Sequence, residues 1–140
     1  MAYPIIYKAK KFAEEAHRGL TDYYGHPAIE HIERVAERVL YTPYSTGEMI
    51  IVAYLHDIVE DTSVTIDDVS SMFGEEIEIT VMAMTRCSET YVDYISRLKS
   101  SPIAVTVKRA DLKDHLEGPT PCPTSLVKRY EKALTALAEE

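Results

Sequence analysis

The run Ile50-Ile51-Val52-Ala53-Tyr54-Leu55-His56-Asp57-Ile58-Val59-Glu60-Asp61-Thr62 constrains this chain more than any other stretch. Apolar side chains surround an adjacent His56–Asp57 pair, and an acidic Glu60–Asp61 pair follows one turn later. A helix apolar on nearly every face belongs at the centre of a domain. Burying an imidazole beside a carboxylate there is costly unless something compensates the charge. A metal ion is one compensator; a buried His–Asp hydrogen bond near a helix end is the plainer alternative. Read as one continuous helix, the run puts Glu60 at i+4 from His56 and Asp61 at i+4 from Asp57. Two carboxylates then lie over the pair. That arrangement suits an ion with an acid/base group in reach.

Composition narrows the class. The chain has 140 residues, 46% hydrophobic and 27% charged, the profile of one soluble globular domain spanning 1–140. A net charge of −8 argues against nucleic acid or an anionic membrane as partner, since such binders display a basic face. Cys87 and Cys122 stand far apart and outside any Cys-x-x-Cys spacing, so both are expected as reduced thiols in a cytoplasmic protein. No apolar run reaches the length of a membrane span, and the first residues lack a secretory pattern.

Taken in order, the chain reads as helix after helix. Pro4 opens a first segment with Ile5, Ala9, Phe12, Ala13 and Ala16 at roughly helical spacing, ended by Arg18-Gly19. Thr21 to Pro27 is a loop by its Gly and Pro content, unusual in holding Tyr23, Tyr24 and His26. Ala28 to Leu40 is a second helix, with Ile29, Ile32, Val35, Ala36 and Val39 on one face. His31 adjoins that stripe, where a satisfied core histidine is the bland reading. After the central helix, Thr65 starts a segment with an acidic first turn that runs to Phe73-Gly74. Glu75 to Met84 is a short helix, and Ser88 is expected to cap Glu89 to Lys99, with Tyr91, Tyr94, Ile95 and Leu98 inward. Pro102 sits in the first turn of Ile103 to His115. That run carries β-branched Val105, Thr106 and Val107, but nothing else in the chain offers it a strand to pair with. Thr124 to Ala138 closes the chain, with Leu126, Val127, Tyr130, Leu134 and Leu137 inward. The expected class is all-α, a bundle around the central buried helix.

These residues carry a resemblance. His31, His56-Asp57 and Asp111 in Val107-Lys108-Arg109-Ala110-Asp111 resemble the H…HD…D signature of HD-domain metal-dependent phosphohydrolases. Ala16-His17-Arg18-Gly19, Gly25-His26-Pro27-Ala28-Ile29-Glu30-His31 and Leu55 to Thr62 resemble the hydrolase domain of the RelA/SpoT group. Phe73-Gly74, Met84-Thr85-Arg86 and Lys108 to Leu112 follow in that group's order. The compact length is similar to its small stand-alone alarmone hydrolases.

The resemblance implies that His31, His56, Asp57 and Asp111 hold one divalent ion, usually manganese in this group. Two imidazoles and two carboxylates also suit iron or zinc. It implies that Glu60 and Asp61 perform acid/base catalysis, and that the substrate is a small phosphorylated nucleotide. In alarmone hydrolases the reaction removes the 3′-pyrophosphate of (p)ppGpp, leaving GDP or GTP. The chain departs from the group where the nucleotide is read. Asp22 and Tyr23 stand at the places of an arginine and a lysine, Ala28 replaces a tyrosine, and His115 replaces an asparagine. Base stacking is then expected from Tyr23 or Tyr24, and phosphate contacts from Arg86, Lys108 and Tyr130, with His115 beside them. His17 and His26 are read as packing or loop residues. Two alternatives stand beside alarmone hydrolysis: hydrolysis of another phosphorylated nucleotide, and a non-catalytic regulatory module that binds metal and nucleotide. The Glu60–Asp61 pair counts against the second.

Overall fold

In a computed structural model of the chain, residues 2–138 are described. Met1, Glu139 and Glu140, which the expected single domain of 1–140 includes, lie outside the described residues. Among the described residues nine helices follow one another: α1 (Ala2–Ala16), α2 (Ala28–Leu40), α3 (Gly47–Leu55), α4 (Ile58–Asp61), α5 (Ile66–Phe73), α6 (Glu75–Met84), α7 (Tyr91–Leu98), α8 (Pro102–Glu117) and α9 (Thr124–Ala138). Among the described residues the only β pairing is an isolated bridge between Thr21 and Pro27. The class is all-α, as the periodicity implies.

The sequence signals for element ends mostly act as their chemistry requires. Thr65 and Asp68 form a reciprocal capping box that starts α5. Gly74, at φ +93, makes the turn from α5 into α6 in a conformation that L side chains rarely adopt. Ser101 accepts from the Ala104 amide and Pro102 occupies the first turn of α8, which stays helical through Val105, Thr106 and Val107. The α7 start differs from expectation. Thr90, not Ser88, caps it by accepting from the Asp93 amide, because the Glu89 carboxylate is occupied by the Cys87 amide and the Arg97 guanidinium.

The central run also differs. Instead of one helix from Ile50 to Thr62, α3 stops at Leu55, and Asp57 adopts φ −104, ψ 0 before α4 begins. The His56 side chain supplies the reason: its Nδ1 donates to the Ala53 carbonyl at 2.7 Å, the acceptor that the Asp57 amide uses in a continuing helix. The break turns Asp57 out of helical register.

α3 nevertheless occupies the centre, packed against α1, α2, α6 and α8. Ile51, Val52, Ala53 and Leu55 are buried there, and α2 adds Ile32, Val35, Ala36 and Val39. α8 brings Ala104, Val107, Ala110 and Leu112 to the same core but also buries Asp111 and Asp114. Two buried carboxylates in one helix demand partners.

Candidate metal centre and its cavity

Those partners come from α2 and the α3–α4 junction. His31, His56, Asp57 and Asp111 each present one ligand atom, and these atoms all lie within 4.8 Å of one another. His31 Nε2 is 2.8 Å from Asp111 Oδ1, and His56 Nε2 is 3.4 Å from the same oxygen and 3.2 Å from Asp57 Oδ2. Both imidazoles are oriented from behind. His56 Nδ1 is held by the Ala53 carbonyl, so its Nε2 faces the carboxylates. His31 Nδ1 pairs with Asp114 Oδ2 at 2.7 Å, which turns its Nε2 the same way. Lys108 Nζ binds Asp111 Oδ2 at 2.9 Å and leaves Oδ1 to the imidazoles.

The electrostatics follow from this crowding. Burial opposes the charge on His31, but hydrogen bonds to Asp111 and Asp114 prevail and hold its pKa up at about 9. His56 is likewise raised, its burial overcome by Asp57 and Asp111. Burial opposes ionisation of Asp111 too, yet Lys108 and the surrounding imidazoles keep it well below the usual carboxylate range. Two anchored imidazole nitrogens and two carboxylates in a buried cluster fit a divalent cation, whose charge would replace the protons the imidazoles carry here.

Sequence reasoning missed Asp114. It is 1% exposed, and besides His31 it takes Arg34 Nε on both oxygens at 3.0 and 3.1 Å and Arg38 Nε at 3.5 Å. Despite its burial, the His31 and Arg34 bonds hold its carboxyl down at about 2. One signal was available: Asp114 lies at i+3 from Asp111, and Arg34 at i+3 from His31, so each shares its neighbour's helix face.

His31 and Asp57 of this cluster line a cavity of about 530 Å³. Of the residues expected to act on substrate, Asp61, Tyr23, Tyr24, His115 and Tyr130 line it. Glu60, Arg86 and Lys108 are not among the lining residues. Glu60 Oε1 instead accepts the Arg86 amide at 2.9 Å, and the Arg86 guanidinium lies 5.5 Å from the Tyr91 ring centroid. Burial pushes the Asp61 carboxyl up to about 6, aided by the charges of Asp57 and Glu60 and opposed by His17 and His56. His115 is stacked between His31 and Tyr130, with ring centroids 4.4 and 5.3 Å away, and its Nε2 is 3.3 Å from Asp111 Oδ1. At the rim, Tyr23 is 93% exposed and meets Tyr24 edge to face. Asp22 is committed to its own loop: Oδ1 accepts the amides of Tyr24 and His26 at 2.8 and 2.9 Å.

Residues 9–104 match the family described as HD domain. The chain belongs to the HD-domain family. That match takes in His31, His56 and Asp57 and ends before Asp111, which the fold of α8 delivers to the other three. Among curated relatives, the chain is 29% identical over 121 residues to the guanosine-3′,5′-bis(diphosphate) 3′-pyrophosphohydrolase of Aquifex aeolicus (strain VF5). The alignment covers 80% of this chain and 17% of that protein. A probable enzyme of the same name from Synechocystis sp. (strain ATCC 27184 / PCC 6803 / Kazusa) is 34% identical over 85 residues, 61% of this chain and 11% of that one. The chain thus spans less than a fifth of the length of these relatives. A solved structure described as a metazoan ortholog of SpoT that hydrolyzes ppGpp superposes with a TM-score of 0.75 at 22% identity. It covers 94% of this chain and 84% of its own, and shows that the HD-domain fold is shared along nearly all of this chain.

Proposed function

We propose that this HD-domain chain is a metal-dependent phosphohydrolase of the (p)ppGpp 3′-pyrophosphohydrolase kind, acting as a single domain in the cytoplasm. One observation carries the reading: two rear-anchored imidazoles and two carboxylates meet in one cluster, of which His31 and Asp57 line a cavity that also holds the Asp61 side chain and the stacked rings of His115 and Tyr130. The names of the aligned relatives supply the substrate class.

His31, His56, Asp57 and Asp111 would hold a divalent ion, manganese by the group resemblance, and that ion would supply positive charge against the phosphate oxygens of the reacting ester. Asp61, on the cavity wall and part-way to neutral, takes a proton from the attacking water. The water oxygen joins phosphorus, the ester P–O bond breaks, and the departing ribose oxygen acquires a proton. Glu60 fixes the Arg86 loop through the Arg86 amide and contributes its charge to Asp61. Tyr23 and Tyr24 offer ring faces to a base. His115 and Tyr130 form the wall beside the ligand cluster, and Arg86 and Lys108 act from outside the cavity lining.

A second reading has its own support. Asp22, Asp57, Asp61 and Asp114 all line the cavity, whereas Arg34 is its only lining Lys or Arg and is already paired with Asp114. An acidic cavity favours a nucleotide with fewer phosphates over one with two pyrophosphates. The test is manganese-loaded protein incubated with ppGpp and a panel of nucleoside mono- and bisphosphates. Pyrophosphate release from ppGpp is the expected result. Release of orthophosphate from the less charged nucleotides, with ppGpp untouched, would establish the second reading instead.

A further inference from the structure

His17 has no place in that chemistry, and its environment is unusual. It is 2% exposed, and its Nδ1 lies 2.9 Å from the Ala13 carbonyl. A carbonyl only accepts, so Nδ1 carries the hydrogen, and in that tautomer Nε2 presents a bare lone pair. Among the described residues, only His17 Nε2 and the Tyr91 hydroxyl are buried side-chain polar atoms without a partner. His17 alone of the two lines the cavity, together with Asp57 and Asp61. The last turn of α1 and Gly19, at φ +82, hold it there. A buried acceptor fixed in orientation and left open toward a ligand cavity is destabilising unless the ligand completes it.

A phosphate oxygen cannot complete it, because phosphate oxygens accept. The missing partner is therefore a donor on a molecule in the cavity that His17 shares with Asp57 and Asp61. On a nucleotide whose 3′-phosphate sits at the metal cluster, the nearest donor is the neighbouring ribose hydroxyl. Resting on the nucleotide reading above, we propose that His17 Nε2 accepts a hydrogen bond from the 2′-hydroxyl and makes the site selective for ribonucleotides.

Calorimetry on manganese-loaded protein tests this with two ribo/deoxy pairs, guanosine and adenosine 3′,5′-bisphosphate and their 2′-deoxy counterparts. Wild type should bind the ribo member of each pair about tenfold more tightly, one net hydrogen bond's worth of discrimination. In His17→Phe that preference should vanish through weaker ribonucleotide binding, with manganese stoichiometry and deoxynucleotide affinity unchanged. His17→Gln, which restores an acceptor, should recover part of it and guards against a folding artefact in the Phe variant. Equal ribo and deoxy affinity in wild type, or a preference that survives in His17→Phe, overturns the proposal while leaving nucleotide hydrolysis intact. Failure of all four nucleotides to bind overturns both.

Discussion

Asp114 and Asp61 are carboxylates at opposite limits of what burial permits. Asp114 is surrounded by His31, Arg34 and Arg38, so its proton leaves easily and its orientation is fixed. Asp114→Asn keeps the shape but weakens the hold on His31 Nδ1. Such changes behind a metal ligand lower metal affinity by roughly 10- to 100-fold, a drop that titration with a competing chelator measures. The same carboxyl bears on acid stability. Its folded pKa, about 2, lies below the ordinary value of 3.8, so its contribution is present above pH 3.8 and is lost as pH falls through about 2. Asp61 is the converse, raised to about 6 by burial and neighbouring negative charge. Acting as base it must be ionised, so turnover should fall as pH drops through that region, and an ion at the neighbouring Asp57 should move the limb downward. Asp61→Asn should cost roughly 10²- to 10⁴-fold in turnover. Glu60→Gln, whose remaining amide oxygen can still accept from Arg86, should cost less. Steady-state rates of the two variants across pH decide the assignment, and the reverse order would return the base role to Glu60.

Elements were legible where local chemistry and packing agree. α2, α6 and α9 begin and end where the sequence puts them, because the Pro27, Gly74 and Pro123 breaks before them and their apolar faces mark the same residues. Removing the α5 cap by Thr65→Ala should cost about 1 kcal/mol in chemical denaturation without touching metal content, since the capping box lies far from the ligands. The α3–α4 break was not legible. The apolar run continues through it, and only the His56 ring bonding back to Ala53 reveals why the helix stops. Asp114 was hidden for a related reason: within Lys113-Asp114-His115 it reads as a solvated surface residue until α2 is laid across it. Of the candidate ligand group, only the His56–Asp57 pair was legible from residue types; His31 and Asp111 needed the resemblance, standing as they do 80 residues apart despite their hydrogen bond.

At the scale of the molecule, α2, the α3–α4 junction and α8 each contribute to one ionic cluster, and His17, just past the end of α1, lines the same cavity as His31 and Asp57. An ion bound there joins segments distant in sequence and raises the free energy of every opening that separates them. Chelation should therefore speed amide exchange in α2 and α8 and at the α3–α4 junction. The α5–α6 pair should keep its protection, because it meets the bundle through Val69, Phe73, Ile77 and Val81 rather than through the ligands. Uniform acceleration along the whole chain would mean that the ion governs global stability instead of this seam.

The loop closed by Asp22 bears on how such a site can change over generations. Its carboxylate secures two backbone amides, so the position most exposed to selection for charge is also the one that shapes the cavity rim. Asparagine is an open step, since it keeps an acceptor oxygen and sheds the charge. A basic residue is a closed one until some other group takes over the Tyr24 and His26 amides. A lineage moving toward more highly charged substrates would therefore pass through neutral intermediates, or place its new cation at Tyr23 or Thr120, before Asp22 could be released.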